Sequence, residues 1–214
     1  MAFDFKKEYK ELYQPKTTPT ILTIPPAQFI AIKGAGDPNP EDSDYKKGVG
    51  LLYALAYTIK MSKKGMHQME GYFDFVVPPL EGFWKQTGKT KDFDYAHKEN
   101  FEWLSAIRVP DFVTREEFEW AKREATQKKK MDFSSVELLT IDEGPVVQCL
   151  HVGAYDDEPE TIRKMDEVME SQGYVLDIND HRLHHEIYLS DPRKSVPDKL
   201  KTIIRHPVRK NQEE

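Results

Sequence analysis

Pro145-Val-Val-Gln-Cys-Leu-His-Val152 runs directly into Gly153-Ala154-Tyr155-Asp156. The pair repeats an earlier one, Ala27-Gln-Phe-Ile-Ala-Ile-Lys33 running into Gly34-Ala35-Gly36-Asp37. Each is an apolar strand pattern broken by a turn, with prolines just beyond: Pro38 and Pro40 in the first copy, Pro159 in the second. A helix is predicted after each turn. The first covers residues 43–61, where Tyr45, Val49, Leu52, Ala56 and Ile59 step by four and three along one face. The second covers residues 159–172, with Pro159 in its first turn, Gly173 past its end, and Ile162, Met165 and Met169 inward. Strands are predicted after the helices at 68–77 and 101–108 in the first half, and at 183–190 and 202–208 in the second. Both halves therefore read strand–helix–strand–strand. The expected fold is α+β: duplicated β-α-β-β repeats forming a pseudo-twofold curved antiparallel sheet, with helices on one face and a central pocket.

The remaining segments fit around this frame. Residues 1–26, with Pro15, Pro19, Pro25 and Pro26, read as a loose lead-in. The domain is expected over 27–208, with repeat one near 27–130, repeat two near 136–208, and a tail at 209–214. In the 68–77 strand, Phe73, Phe75 and Val77 alternate with Tyr72 and Asp74. Residues 80–100 read as a long loop carrying Phe83, Trp84, Phe93 and Tyr95, expected to close over the pocket with Trp84 as its anchor. Thr114-Arg-Glu-Glu117 has the pattern of a capping box, so a helix is predicted to run from there to about Lys129 with Phe118, Ala121 and Ala125 inward.

Composition removes several function classes. The chain of 214 residues has 31 Lys and Arg against 37 Asp and Glu, a net charge of −6. A nucleic-acid surface needs clustered cations facing phosphates, so none is expected. No stretch approaches the ~18 apolar residues of a membrane span. The start, Met-Ala-Phe-Asp-Phe-Lys-Lys-Glu, lacks the apolar core of a signal peptide. Cys149 is the single cysteine, so no disulfide framework forms within the chain, and it reads as a packed thiol in a buried strand. A cytoplasmic setting is expected. Gly34-x-Gly36-x-x-Asn39 lacks the third glycine of a dinucleotide fingerprint, and neither a P-loop nor a Gly-x-Ser-x-Gly elbow occurs. No cofactor is expected.

The densest polar constellation is His181-Arg-Leu-His184-His185-Glu186-Ile187-Tyr188-Leu189-Ser190. On a strand, His184, Glu186, Tyr188 and Ser190 share one face, while His185, Ile187 and Leu189 share the other. Glu70, Tyr72 and Asp74 supply a matching polar and aromatic face in the first half. His184 and Glu186 stand two apart and could share an ion. A catalytic zinc needs three protein ligands, however, and no second pair at ligand spacing appears, so no metal is expected.

Pro79-Leu80-Glu81-Gly82-Phe83-Trp84 resembles a segment of the GyrI-like small-molecule-binding family. Trp103-Leu104-x-x-Ile107-Arg108-x-Pro110-x-Phe112-Val113-Thr114 resembles the strand-to-helix segment of its stand-alone members. Glu186-Ile187-Tyr188-Leu189-Ser190-Asp191-Pro192 and Leu200-Lys-Thr-Ile203-Ile204-Arg-x-Pro207-Val208 resemble its last two strands. Lys85 departs from the second Trp that many relatives carry after Trp84. The resemblance implies an aromatic pocket with a central glutamate, which maps onto Glu186. Some relatives are effector-binding domains of multidrug-sensing regulators joined to a winged-helix part, and the Pro-rich lead-in does not resemble such a part. The stand-alone branch includes hydrolases of cyclopropane-bearing DNA-alkylating compounds.

The expected ligand is a lipophilic, planar or cationic small molecule. The expected catalytic residues are Glu186 and Tyr188, with Trp84, Trp103, Tyr72, His184 and Tyr155 binding the ligand. The alternatives are a multidrug-binding protein without turnover, or a partner that protects gyrase. A protein partner is the least favoured of these.

Overall fold

The computed structural model describes residues 2–88 and 93–211. Its elements, in chain order, are α1 (Phe5–Glu8), α2 (Lys10–Tyr13), β1 (Thr20–Ile24), β2 (Ala27–Ala35), α3 (Asp44–Met61), β3 (Leu80–Gln86), β4 (Phe101–Arg108), α4 (Arg115–Lys129), β5 (Glu137–Ile141), β6 (Gly144–Val152), α5 (Glu158–Ser171), β7 (Tyr174–Leu176), β8 (His184–Tyr188) and β9 (Lys201–Lys210). The sheet order is β1-β6-β9-β8-β3-β4-β2-β5, with β7 added against β9 and every pairing antiparallel.

That order carries the duplication. Repeat one lies as β3-β4-β2 and repeat two as β8-β9-β6, so β3 and β8 meet at the centre as equivalents. The strands that precede the repeats are exchanged: β1 pairs with β6, and β5 pairs with β2. α3 and α5 cover the same sheet face. α3 buries Leu52, Leu55, Ala56 and Ile59. Met165 and Met169 of α5 pack on Val147, Cys149, Ile204 and Val208. The helix ends follow the sequence signals. Ser43 Oγ accepts from Lys46 N at 3.3 Å, and Thr114 Oγ accepts from Glu117 N at 3.3 Å. The Glu117 carboxylate does not close a reciprocal capping box; it pairs with His67 instead.

Three expectations change. The lead-in is built rather than loose: Phe5, Leu12, Tyr13 and Ile24 are buried, and β1 extends the sheet. Its prolines sit between short elements, which kept any one periodicity from becoming visible. Residues 68–77 form no strand. Phe75 makes a single bridge to Phe3, Gly71 takes φ +71°, and Pro78-Pro79 offers no donors for a ladder. Its aromatic alternation reflects packing instead, with Phe73 edge-on to Phe112 at 5.2 Å. The strand of repeat one is β3, inside the segment read as loop. Pro78-Pro79 read as an end is in fact a beginning, and β3 is buried on both faces, so it shows no alternation. Lys89–Asp92 of the expected lid lie outside the described residues. Among the described residues, no helix is long and apolar enough to cross a membrane.

The sheet face away from α3 and α5 holds a buried charge network at the central seam. His185 Nδ1 lies 2.8 Å from Glu143 Oε2, and its Nε2 lies 3.0 Å from Glu81 Oε2. Arg205 Nη1 donates to Glu143 Oε1 at 3.1 Å and Nη2 donates to the Leu12 carbonyl at 2.5 Å. Tyr13 donates to Glu81 Oε1 at 3.0 Å. Phe83 stacks on the His185 ring at 3.9 Å. Burial alone would raise the Glu143 pKa, but the His185 and Arg205 charges outweigh it and hold the carboxyl at about 2. Burial likewise opposes the charged form of His185, and the Glu143 and Glu81 carboxylates outweigh it and raise its pKa.

Glu143→Gln should therefore cost about 3 kcal/mol at neutral pH by stranding buried positive charge. The sign with pH follows from the direction of each shift. The Glu143 contribution is complete above its ordinary value of 4.5 and is lost as pH falls towards about 2. The His185 contribution is complete below 6.5 and is lost as pH rises through its raised value. Thermal melts across acid pH should show a steep acid limb in the native protein and a shallower one in Glu143→Gln. Parallel limbs would remove this network from the stability account.

Candidate functional site

The seam between β3 and β8 sets the site. Its register places Gly82 opposite Glu186 and Trp84 opposite His184 on the face covered by α3 and α5. Above the seam, between α3 and the start of α5, lies a cavity of about 1130 Å³. Glu186, Tyr188 and Trp84 form its floor, Tyr45 on α3 one wall, and Tyr155 in the turn before α5 the other; Phe93 and Tyr95 approach from the segment after β3.

The aromatic groups brace one another. Trp84 Nε1 donates to the Tyr188 hydroxyl at 2.9 Å. Tyr45 lies 5.4 Å from the Trp84 ring, and edge-on to Trp103 at 5.2 Å. Tyr155 meets Tyr188 edge-on at 5.8 Å. Two glycines make this packing possible. A Cβ on Gly82 would sit 2.6 Å from Trp84 Nε1 and 2.8 Å from the Tyr188 hydroxyl; a Cβ on Gly34 would sit 2.3 Å from the Trp103 ring.

The polar groups form a chain. His184 Nε2 lies 2.9 Å from Glu186 Oε1, and His184 Nδ1 lies 2.7 Å from His206 Nε2. Burial, with His184 alongside, holds the His206 pKa well below the usual histidine range, so His206 is neutral. Among the described residues, no Lys or Arg forms an ion pair with Glu186, whose side chain is 13% exposed. Burial and then the Glu186 charge push Tyr155 up to about 12 and hold Tyr188 well above its ordinary value of 10. Both hydroxyls are therefore neutral donors at physiological pH. Glu158, the first residue of α5, also enters the cluster: it, His184 and Glu186 each bring an atom within 4.8 Å of the others. Both His184 nitrogens are already engaged, one on Glu186 and one on His206, and we assign no metal to this chain of hydrogen bonds.

Of the residues expected at the site, Trp84, Tyr155, Glu186 and Tyr188 line the cavity. His184 lies behind Glu186 and orients it. Trp103 is buried behind Tyr45 and supports the wall. Tyr72 stands elsewhere: its hydroxyl donates to the Lys60 carbonyl at 2.6 Å and its ring packs on Phe112. Asp74 is taken by Lys63 at 2.8 Å. Trp84 is floor rather than lid, because the segment carrying it is the central strand. Lys85 points to the opposite face, 3.1 Å from Glu102, so its departure from the family pattern leaves the cavity unchanged.

Two residues went unrecognised. Tyr45 fell within an ordinary helical stripe, and Glu158 lies 26 positions or more from its partners with no local spacing to betray it.

The family model described as the GyrI-like small molecule binding domain matches residues 17–209. The chain belongs to this family. Among solved structures, it is similar to an uncharacterized conserved protein from Listeria innocua at 49% identity, covering 97% of this chain and 100% of that one, with a TM-score of 0.91. It is also similar to a protein described as a hydrolase from Listeria innocua, at 47% identity over 97% and 100% of the two chains, with a TM-score of 0.89. The EcmrR C-terminal domain, 16% identical over 90% of this chain and 97% of that one with a TM-score of 0.50, shares the fold. No curated protein matches the chain. For a GyrI-like domain, a curled antiparallel sheet with helices on one side is the expected frame, and the cavity sits at its symmetric centre.

Trp84→Phe keeps a ring on the floor but removes the donor to Tyr188. Loss of one buried hydrogen bond within the protein costs about 1 kcal/mol, so the melting temperature should fall by about 2–4 °C. Thermal melts of the two proteins check this, and an unchanged melting temperature would reduce the indole N–H to packing.

Proposed function

We propose that this chain binds lipophilic, planar or cationic small molecules in the cavity and hydrolyses cyclopropanoid DNA-alkylating compounds there, with Glu186 as the base. The observation that carries this reading is a carboxylate on the floor of an aromatic cavity whose partners are an imidazole and the Tyr188 hydroxyl rather than Lys or Arg. Its charge therefore stays available to a ligand. Aromatic faces around it stack on flat molecules and attract cations, each contact contributing on the order of 0.5–2 kcal/mol. The hydrolase descriptions of relatives at 47% and 48% identity support an activity of that general class.

The reaction needs little machinery. Water attacks the strained ring carbon, and Glu186 takes the proton that water loses. The carbon–carbon bond of the ring breaks, and its electron pair flows into the conjugated carbonyl, whose oxygen becomes negative. The Tyr188 hydroxyl accepts from Trp84 and lies within hydrogen-bond reach of Glu186; turning its proton from the carboxylate to that oxygen gives the developing charge a donor. The oxygen is finally protonated from solvent and Glu186 returns its proton to solvent, so the net change is addition of one water. Tyr72, which does not line the cavity, has no part in it. His184 holds the carboxylate in position from behind. The same cavity without turnover would make a sequestering protein, which its volume of about 1130 Å³ suits equally well.

Incubation with a cyclopropanoid, followed by mass spectrometry, should give a product heavier by one water. Glu186→Gln should lower the rate by at least about 100-fold, the low end of a general-base contribution, and should fold normally. Binding without any hydrated product would leave the sequestering reading in place. A Glu186→Gln variant with undiminished turnover would remove Glu186 from the mechanism.

A further inference from the structure

Glu158 has no place in the reaction just described, yet it is among the most enclosed carboxyl groups of the chain. It is 1% exposed, and its Oε1 has no hydrogen-bond partner. It faces Glu186 and His184 from β8, with Tyr188 on the same strand. Asp156 and Tyr155 face it from the turn before α5, and Tyr95 from the segment after β3. Among the described residues, no Lys or Arg pairs with either glutamate, and Lys98, at this rim, is committed to Asp156 at 3.1 Å. Two enclosed carboxyls so close together, without a cation, cannot both stay ionised at low cost. Glu186 has the imidazole and the Tyr188 hydroxyl as partners, whereas Glu158 Oε1 has none, so the proton belongs on Glu158.

We infer that Glu158 is a second carboxyl group of the cavity, kept protonated against Glu186, and that it releases its proton to solvent when a cationic ligand enters. Burial first, then the Glu186 charge, raise its pKa well above the ordinary 4.5, in keeping with the geometry. The cavity then presents one negative charge when empty and two when a cation is bound. This makes Glu158 a specificity-determining residue, favouring permanently charged ligands over neutral ones more strongly as pH rises. The inference rests on the reading of the cavity as a site for cations.

The test uses benzyltriethylammonium, whose charge does not titrate. Calorimetry at pH 7 in buffers of different ionisation heat should show release of about one proton per cation bound, and affinity should rise by up to about tenfold per pH unit below the Glu158 pKa. Glu158→Gln should release no proton and flatten that pH profile. The infrared C=O stretch of a protonated carboxylic acid should be present in the native protein at pH 7 and absent in Glu158→Gln. If that variant does not fold, Glu158→Asp keeps a titratable group and should retain proton release with a shifted midpoint. Absence of the infrared band, or its survival in Glu158→Gln, overturns the assignment. So does binding of zinc or manganese to the native protein that Glu158→Gln abolishes, because the counter-charge would then be a metal. Failure of the native protein to bind the cation at any pH would sink the cation-site reading alone, and the infrared band would still decide where the proton sits.

Discussion

The antiparallel pairing of β3 with β8 joins two half-sheets into one, and its register decides what lies on each face. Side chains on a strand alternate, so a slip of one residue would exchange the two faces. As built, Phe83 and His185 meet on one side of the seam while Trp84 and His184 meet on the other. Gly82 stands opposite Glu186, and the space left by its missing side chain holds the Trp84–Tyr188 hydrogen bond. The cavity floor is therefore a consequence of one register and one glycine.

The two faces use the same residue types to opposite ends. His185 sits between Glu81 and Glu143, with Arg205 completing a network in which two carboxylates meet two cations. That arrangement consumes its charges internally and ties the lead-in to the sheet through Tyr13 and the Leu12 carbonyl. One residue further along, Glu186 has an imidazole and the Tyr188 hydroxyl beside it but no cation, and Glu158 Oε1 has no partner. Like-charge crowding of this kind is a cost to the fold. It is retained on the face that opens to a cavity, where a ligand or a proton can relieve it.

The repeat was legible because α3 and α5 each show a clean apolar stripe and a turn signal at the same place. The alternation at residues 183–190 was legible for a similar reason: only one face of β8 carries ionisable groups towards the cavity, so Glu186, Tyr188 and His184 could be sorted from sequence. β3 was not legible, because a strand buried on both faces has no alternation and a double proline precedes it. Tyr72 was misplaced for the converse reason. Residues 72–77 alternate well, but the pattern arises from packing on Phe3 and Phe112, with no neighbouring strand to pair. Glu158 is beyond local reading altogether, since only the closure of α5 onto β8 brings it to Glu186.

The pseudo-twofold axis passes through the seam, so a symmetric protein would have a symmetric pocket, and the chemistry departs from that. Repeat one contributes Tyr45 and Trp84 to the cavity, backed by Trp103. Repeat two contributes Glu186 and Glu158, with Asp156 at the rim and Tyr155 and Tyr188 between. The fold supplies matching positions, and the sequence has placed rings on both sides but the two enclosed carboxyl groups, Glu186 and Glu158, on one. Such a cavity is polarised along the line joining the repeats. On the reading proposed above, a flat cation enters in one orientation, with its ring against Tyr45 and Trp84 and its charge towards β8 and the start of α5. Reversing the ligand would exchange a carboxylate for ring faces, which attract a cation less strongly, and leave Glu186 facing apolar surface. Duplication thus gives the cavity its place in the fold, and the divergence of the two repeats gives it a direction.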